Sequence, residues 1–150
     1  MKNPISILTE IIKQNNIDLS FNIIEIGAVQ ISNAQEPFYQ LLDYFPSSHI
    51  IGFELEEELC SKMNAKAKNG IKYYPYALGK ANEKRKLYIT QNPMCSSLYK
   101  PNEELIKLYN RFEVAYLKEE TEINTITLDY FIEQNKIGEI DFIKIDVQGA

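Results

Sequence analysis

DFIKIDVQGA, the segment from Asp141 to Ala150, shows the architecture of this chain most clearly. A strand is predicted from Asp141 to Val147, because near-continuous apolar runs of this length are typical of parallel strands buried on both faces. Asp146 lies near the carboxyl end of that strand. Open α/β sheets bind ligands outside the carboxyl ends of their strands, so this carboxylate predicts a ligand site at that edge.

Upstream segments repeat this kind of strand, with predicted helices between them. Phe21 to Ile26 is an apolar strand that turns at Gly27, and Ile50 to Phe53 is another that ends at Glu54. Further strands are predicted over Ile71 to Leu78, Lys86 to Thr90, Phe112 to Leu117 and Glu122 to Ile126. Helices are predicted over residues 4–15, from Pro37 to about Phe45, from Leu55 to Ala67, from Pro101, and from Leu128 to Asn135 after an N-cap at Thr127. Alternation of strands and helices favours parallel pairing through right-handed crossovers, which predicts an α/β fold with a doubly wound sheet.

The composition predicts a single globular domain over residues 1–150. Hydrophobic residues make up 45% of the chain and charged residues 25%, as in an ordinary folded protein. The formal net charge of −5 gives no reason to expect a nucleic-acid or anionic-membrane partner, since both are normally met by a basic surface. Cys60 and Cys95 are too few for a disulfide framework or a cysteine-based zinc site, and no metal is predicted. Without a membrane-spanning run or a signal peptide, the expected location is cytoplasmic.

Three acidic residues at strand ends are the candidate functional residues: Glu25, Glu54 and Asp146. The carboxyl ends of parallel strands meet at one edge of a sheet, so we expect these side chains on the same edge. A carboxylate in the position of Glu54, at the end of the second strand, can accept hydrogen bonds from both ribose hydroxyls of an adenosine cofactor. A bound nucleoside is therefore the expected class of ligand.

The loop after the first strand narrows the choice of nucleoside. A dinucleotide site uses G-x-G-x-x-G to bring backbone N–H groups against a pyrophosphate. This chain has Gly27 followed by AVQIS, without the second and third glycines, which disfavours NAD and FAD. S-adenosylmethionine has no phosphate and needs only a close backbone approach beside Gly27 and a polar contact for its amino-acid end, which Glu25 can supply. The loop therefore suits S-adenosylmethionine better than it suits NAD or FAD.

Six motifs that occur in order carry a resemblance to a known family. They are EIGA (Glu25 to Ala28), IIGFE (Ile50 to Glu54), YYPYALG (Tyr73 to Gly79), CSSLYKPN (Cys95 to Asn102), TITLDYF (Thr125 to Phe131) and DFIKIDVQGA. Together they resemble the FkbM-type family of S-adenosylmethionine-dependent methyltransferases, from about Phe21 onward. The resemblance implies a class I methyltransferase (Rossmann-like) fold and, by analogy, O-methylation of a hydroxyl on a sugar or secondary metabolite, with a small-molecule or glycan acceptor.

The resemblance also implies roles for particular residues. The cofactor residues are Glu25, Gly27 and Ala28 for the methionine part, Glu54 for the ribose, and Leu55 and Ala77 beside the adenine. Asp146 is placed near the methyl group. Because the acceptor hydroxyl must lose its proton, Asp146 is also the candidate general base.

The chain departs from the family pattern at two places. The usual first loop resembles D-x-G-A-N-x-G, whereas Val29 and Gln30 follow Ala28 here. We expect either cofactor contacts from Gln30, Ser32 or Asn33 instead, or weak cofactor binding. The family also continues past the position of Ala150 with a glutamate, a further helix and more strands. The expectation is a sheet truncated after its fourth core strand, with the C-terminal part of the domain absent. A noncatalytic remnant or a nucleoside-binding Rossmann-like module is the alternative to an enzyme.

Overall fold

The computed structural model describes residues 4–29 and 36–148, which divide into two compact units. The first unit takes in the chain up to Pro75 together with Ile137–Ile145, and the second takes in Tyr76–Lys136 and the residues from Asp146 onward. The helices and strands are α1 (Pro4–Gln14), β1 (Asn22–Ile26), α2 (Leu41–Tyr44), β2 (His49–Phe53), α3 (Glu57–Lys66), β3 (Ile71–Tyr74), β4 (Ala77–Leu78), β5 (Glu83–Thr90), α4 (Glu103–Ile106), β6 (Leu117–Ile126), α5 (Leu128–Asn135) and β7 (Phe142–Ile145). Short 3₁₀ helices span Pro37–Gln40, Pro93–Cys95 and Glu113–Ala115. The prediction of a single domain stays a prediction.

A four-stranded parallel sheet forms the centre of the first unit, in the order β3-β2-β1-β7. Strand β1 lies between β2 and β7, and its residues Ile23, Ile24 and Glu25 are buried. This confirms the α/β class and the parallel pairing of the apolar segments. Truncation after the fourth strand stays a prediction.

Turns and short helices position the ends of these strands. Gly27 follows β1 with φ of 79°, a left-handed conformation that favours glycine. Pro37 begins a 3₁₀ helix that continues into α2, in place of the single helix predicted there. Helix α3 begins at Glu57 and not at Leu55, so Leu55 lies in the connection between β2 and α3.

The second unit contains a three-stranded sheet in the order β4-β6-β5. Strands β5 and β6 are antiparallel, and β4 pairs parallel with β6. The predicted strand from Ile71 to Leu78 is wrong as one element: β3 and β4 belong to different sheets. Pro75 separates them, since proline has no N–H to donate to a ladder.

Strand β6 also differs from the sequence prediction. Two short strands were expected, Phe112 to Leu117 and Glu122 to Ile126, whereas one ten-residue strand runs from Leu117 to Ile126. Glu119 and Glu120, which lie between the two predicted strands, pair with Ile89 and Tyr88 of β5, so their backbone stays extended although their side chains are polar. The Thr127 N-cap is confirmed, because its Oγ1 accepts a hydrogen bond from Tyr130 N at 3.1 Å. Among residues 4–29 and 36–148, no helix has the length and apolar character needed to cross a membrane.

Candidate functional site

The loop after β1 and the end of β2 are joined by backbone hydrogen bonds. Gly27 N and Ala28 N both donate to Phe53 O, at 3.2 and 3.1 Å. Phe53 is the last residue of β2, and Glu54 follows it. The structure therefore brings Gly27, Ala28 and Glu54 together at the carboxyl edge of the first sheet, as the sequence predicts for residues at strand ends.

Glu54 is held in a fixed position at this edge. Its backbone N donates to Tyr74 O at 3.1 Å, and its Oε1 accepts a hydrogen bond from Glu56 N at 3.0 Å. Partial burial raises the pKa of the Glu54 carboxyl, an effect that the hydrogen bond from Glu56 opposes. The adjacent Leu55 is 36% exposed, so an apolar side chain lies next to this carboxylate at the surface.

The strand order of the first sheet changes direction at β1. The chain proceeds outward from β1 through β2 to β3 and then returns to the other side of β1 as β7. Ile26 and Ile145 are opposed in this β1–β7 pair. Neighbouring strands whose connections lead in opposite directions form a topological switch point, where open α/β sheets bind their ligands.

Glu25 is placed differently from the other predicted cofactor residues. It lies within β1, is only 1% exposed, and both of its carboxylate oxygens have partners. Tyr39 Oη donates to Oε2 at 2.6 Å, and Lys144 Nζ lies 3.4 Å from Oε1. The Tyr39 and Tyr73 hydroxyls are 2.9 Å apart, which extends the network. Glu25 is thus the centre of a buried polar network made of Glu25, Tyr39, Tyr73 and Lys144.

Strand register explains how this network assembles. Lys144, Glu25, Gly52 and Tyr73 lie opposite one another on β7, β1, β2 and β3. An ideal Cβ on Gly52 would lie 2.4 Å from Tyr73 Cδ1, so the tyrosine ring occupies the space over the glycine. The absence of a side chain at Gly52 lets Tyr73 reach across β2 toward Tyr39.

Burial controls the protonation of the network. Desolvation raises the pKa of Glu25, while the hydrogen bond from Tyr39 and the charge of Lys144 act in the opposite direction. Desolvation and the neighbouring Glu25 raise the pKa of Tyr39. Tyr39 therefore keeps its proton and is the donor to Glu25. Lys144 also lies 3.6 Å from Glu36 Oε1, so two carboxylates share its charge.

Sequence reasoning did not identify Tyr39, Tyr73 or Lys144 as members of a site. A signal for Lys144 was present, since it interrupts the apolar strand FIKI just as Glu25 interrupts NIIEI. The Glu25 charge inside the buried strand β1 requires a partner, and Lys144 at the opposed position of β7, whose apolar residues are exposed, provides one. Nothing in the local sequence around Tyr39 or Tyr73 indicates that their hydroxyls meet.

Two of the remaining predicted site residues belong to the second unit, and three lie outside the described residues. Ala77 begins β4, and both Ala77 and Asp146 belong to the second unit. The predicted loop contacts Gln30, Ser32 and Asn33 lie outside the described residues. In the parts of the chain that the structure describes, no group of three or more His, Cys, Asp or Glu side chains is arranged to hold a metal ion.

Cys60 is a poor candidate for a nucleophile. Its side chain is buried in α3, packed with Ala28 and Tyr73. Burial, reinforced by Glu54 and Glu57, raises the pKa of the Cys60 thiol and keeps it protonated. The thiol is part of the packing beneath the sheet edge.

The parallel central sheet defines an α/β protein that is compatible with a Rossmann-like methyltransferase fold. The family model described as the Methyltransferase FkbM domain matches residues 12–150. The chain belongs to this methyltransferase family, which confirms the resemblance drawn from its six motifs. Comparison with curated proteins and comparison with solved structures gave no match.

Proposed function

We propose that this protein is an S-adenosylmethionine-dependent methyltransferase that methylates a hydroxyl of a small-molecule or glycan acceptor. Membership of the FkbM family supports methyl transfer. The observation that carries the cofactor assignment is the contact of Gly27 and Ala28 with Phe53, which brings the first loop next to Glu54. The edge offers the Glu54 carboxylate and a close backbone approach at Gly27 and Ala28. The loop after Gly27 lacks the second and third glycines that binding of a pyrophosphate requires.

The residues at this edge suit the parts of the cofactor. The Glu54 carboxylate accepts hydrogen bonds from the ribose hydroxyls, and Gly27 and Ala28 approach the methionine part through the backbone. Leu55 is the residue of this edge that we assign to the adenine, while Ala77, which belongs to the second unit, has that role only by the family resemblance. Glu25 has both oxygens engaged within the protein, so it supports the site by fixing β1 against β7 and the Tyr39 segment.

S-adenosylmethionine supplies an activated methyl group on a sulfonium, so the protein mainly has to bind and align an acceptor oxygen. The acceptor oxygen forms a bond to the methyl carbon while the carbon–sulfur bond breaks and its electron pair stays on sulfur. Asp146 takes the hydroxyl proton as general base. The products are a methyl ether and S-adenosylhomocysteine.

Calorimetric titration of the chain with S-adenosylmethionine, S-adenosylhomocysteine and NAD tests this proposal. We expect both adenosyl ligands to bind with one-to-one stoichiometry and NAD to give no heat of binding. Binding of NAD without binding of either adenosyl ligand would overturn the assignment. Adenosyl binding without methyl transfer to any hydroxylated acceptor would favour the noncatalytic nucleoside-binding module.

A further inference from the structure

The Tyr73 side chain packs against the start of the first loop, within the first unit. It is buried in one cluster with Ala28 and Cys60. An ideal Cβ on Gly52 would lie 2.7 Å from Tyr73 Cε1 and 3.0 Å from Ala28 Cβ, so the tyrosine ring and the Ala28 methyl group meet over this glycine. The ring therefore forms part of the surface on which the first loop begins.

The backbone of Tyr73 is bound to the helix that follows Glu54. Tyr73 N donates to Asn64 Oδ1 at 2.9 Å, and Asn64 Nδ2 donates to Tyr73 O at 2.8 Å. Asn64 lies in α3. The next residue of β3, Tyr74, accepts the hydrogen bond from Glu54 N. Two adjacent residues of β3 are thus bound to α3 and to Glu54, which fixes the backbone from which the Tyr73 ring extends.

The Tyr73 hydroxyl fixes the far end of the ring. It lies 2.9 Å from Tyr39 Oη, and Tyr39 Oη donates to Glu25 Oε2 at 2.6 Å. A phenol has one proton to donate, so Tyr73 is the donor in its bond with Tyr39. Two successive hydrogen bonds therefore connect the buried carboxylate of β1 to the ring that packs on Ala28.

The position of Ala28 depends on this packing. Its backbone N donates to Phe53 O at 3.1 Å, and Gly27 before it has φ of 79°, so the loop turns back toward β2 directly after β1. The Ala28 side chain is only 1% exposed because it lies in the cluster with Tyr73. A displaced Tyr73 ring would therefore displace the Ala28 backbone as well.

We propose that Tyr73 is a positioning residue for the adenosyl cofactor. Its ring holds the backbone of Gly27 and Ala28 where the methionine part binds, and its bond to Tyr39 holds the ring. This inference rests on the proposed methyltransferase function, since it concerns the cofactor side of the same site. Glu25 accordingly influences cofactor affinity through Tyr39 and Tyr73, without contact with the cofactor.

Calorimetric titration of full-chain variants with S-adenosylhomocysteine tests the proposal, at a temperature where circular dichroism shows each variant to be folded. Tyr73→Leu removes the ring and the hydroxyl, and its affinity should fall about ten-fold. Tyr73→Phe keeps the ring over Gly52, and its affinity should fall only about three-fold. A folded Tyr73→Leu protein with wild-type affinity would overturn the inference. If Tyr73→Leu does not fold, wild-type affinity of Tyr73→Phe would overturn it.

Phe45→Leu is the matched control for loss of a buried ring. Phe45 is 6% exposed and Tyr73 is 7% exposed, and both belong to the first unit. The Phe45 ring packs on Phe21, which precedes β1, at a centroid distance of 5.3 Å. This contact lies at the amino edge of the sheet, so Phe45→Leu should lower stability and leave cofactor affinity unchanged. An equal loss of affinity in both variants would contradict a positioning role for Tyr73.

A double-mutant cycle tests whether Tyr73 acts through Ala28. Ala28→Gly removes the methyl group that meets the Tyr73 ring. If the ring acts through this methyl group, the Ala28→Gly/Tyr73→Leu protein should bind S-adenosylhomocysteine within about two-fold of the weaker single variant. Losses that multiply in the double variant would show that the two residues act independently, which would overturn the proposed route.

Amide resonances of the ¹⁵N-labelled chain without ligand test the packing separately. We expect Tyr73→Leu to shift the amides of Gly27 and Ala28 more than Phe45→Leu does, because both amides donate to Phe53 O. Unchanged Gly27 and Ala28 amides in Tyr73→Leu would overturn the inference.

The same proteins separate this inference from the proposed function. A wild-type chain that binds neither S-adenosylmethionine nor S-adenosylhomocysteine would overturn the proposed function. Wild-type binding that Tyr73→Leu leaves unchanged would overturn the positioning role alone and leave the cofactor assignment intact.

Discussion

Glu25 accepts a 2.6 Å hydrogen bond from Tyr39, which ties a buried strand carboxylate to the 3₁₀ helix after the first loop. The same tyrosine hydroxyl meets Tyr73 on β3, two strands away from β1. One phenol therefore connects three segments beneath the edge where we place the cofactor. The packing of the Glu25 network sets the shape of the site. Its contribution to the free energy of unfolding can be measured.

Removal of the Tyr39 hydroxyl should destabilise the protein. Tyr39→Phe leaves the buried Glu25 carboxylate without its shortest hydrogen bond, and we expect the free energy of unfolding to fall by about 1–3 kcal/mol. Urea denaturation measures the change. Tyr109→Phe, at a position that is 56% exposed, is the matched control and should change stability by less than about 0.5 kcal/mol. Equal effects of the two substitutions would show that the network contributes nothing.

A side chain at Gly52 should displace Tyr73. The added methyl of Gly52→Ala would lie 2.4 Å from the Tyr73 ring, so we expect a loss of about 1–3 kcal/mol in unfolding free energy. Gly138→Ala is the control, because its nearest neighbour is Asn22 Nδ2 at 3.6 Å, an ordinary contact. A Gly52→Ala protein as stable as the Gly138→Ala protein would contradict the close approach of Tyr73 to β2.

The pH dependence of stability should report the titration of Glu25. Burial raises the pKa of the folded-state Glu25 carboxyl above its ordinary value of 4.5, although Tyr39 and Lys144 oppose this shift and Glu36 and Tyr73 also face the network. A raised pKa means that the Glu25 carboxyl binds its proton more tightly in the folded state than in the unfolded state. The contribution of Glu25 to stability is therefore fully present below pH 4.5 and is lost as the pH rises through the folded-state pKa.

Glu25→Gln isolates this contribution, because glutamine does not titrate. We expect the stability of Glu25→Gln relative to wild type to increase between about pH 4 and pH 7 in urea denaturation experiments. A difference between the two proteins that stays constant or decreases over this interval would show that the folded-state pKa is not raised.

Loss of the Glu54 carboxylate should weaken cofactor binding. Glu54→Gln replaces the carboxylate that we propose accepts hydrogen bonds from the ribose hydroxyls. We expect the affinity for S-adenosylhomocysteine, measured by calorimetry, to fall about 10- to 100-fold. Glu57→Gln removes an exposed carboxylate three residues away and should bind as wild type does. Similar losses in both variants would indicate a general charge effect and not ribose binding.

Substitution of Asp146 should separate chemistry from binding. We expect Asp146→Asn to bind S-adenosylhomocysteine normally and to transfer methyl groups about 100- to 10,000-fold more slowly, as expected for loss of a general base. Transfer of a tritiated methyl group to the acceptor measures the rate. Normal transfer with normal cofactor binding would exclude Asp146 as the base.

The apolar strands were predictable because their periodicity and flanking turns are local properties of the sequence. Glu54, Gly27 and Ala28 were predictable as neighbours for a related reason: parallel strands place their carboxyl ends at one edge. The boundary at Pro75 was missed because the apolar run on both sides of it looks continuous. The meeting of Tyr39 with Tyr73 depends on register across β1, β2 and β3, which no local pattern contains.

A crystal structure of the chain with S-adenosylhomocysteine tests the central claim most directly. Our account predicts the ribose hydroxyls within hydrogen-bond distance of the Glu54 carboxylate and the amino-acid part next to Gly27 and Ala28. A ligand bound away from the carboxyl edge of β1 and β2, or with its ribose far from Glu54, would contradict the account.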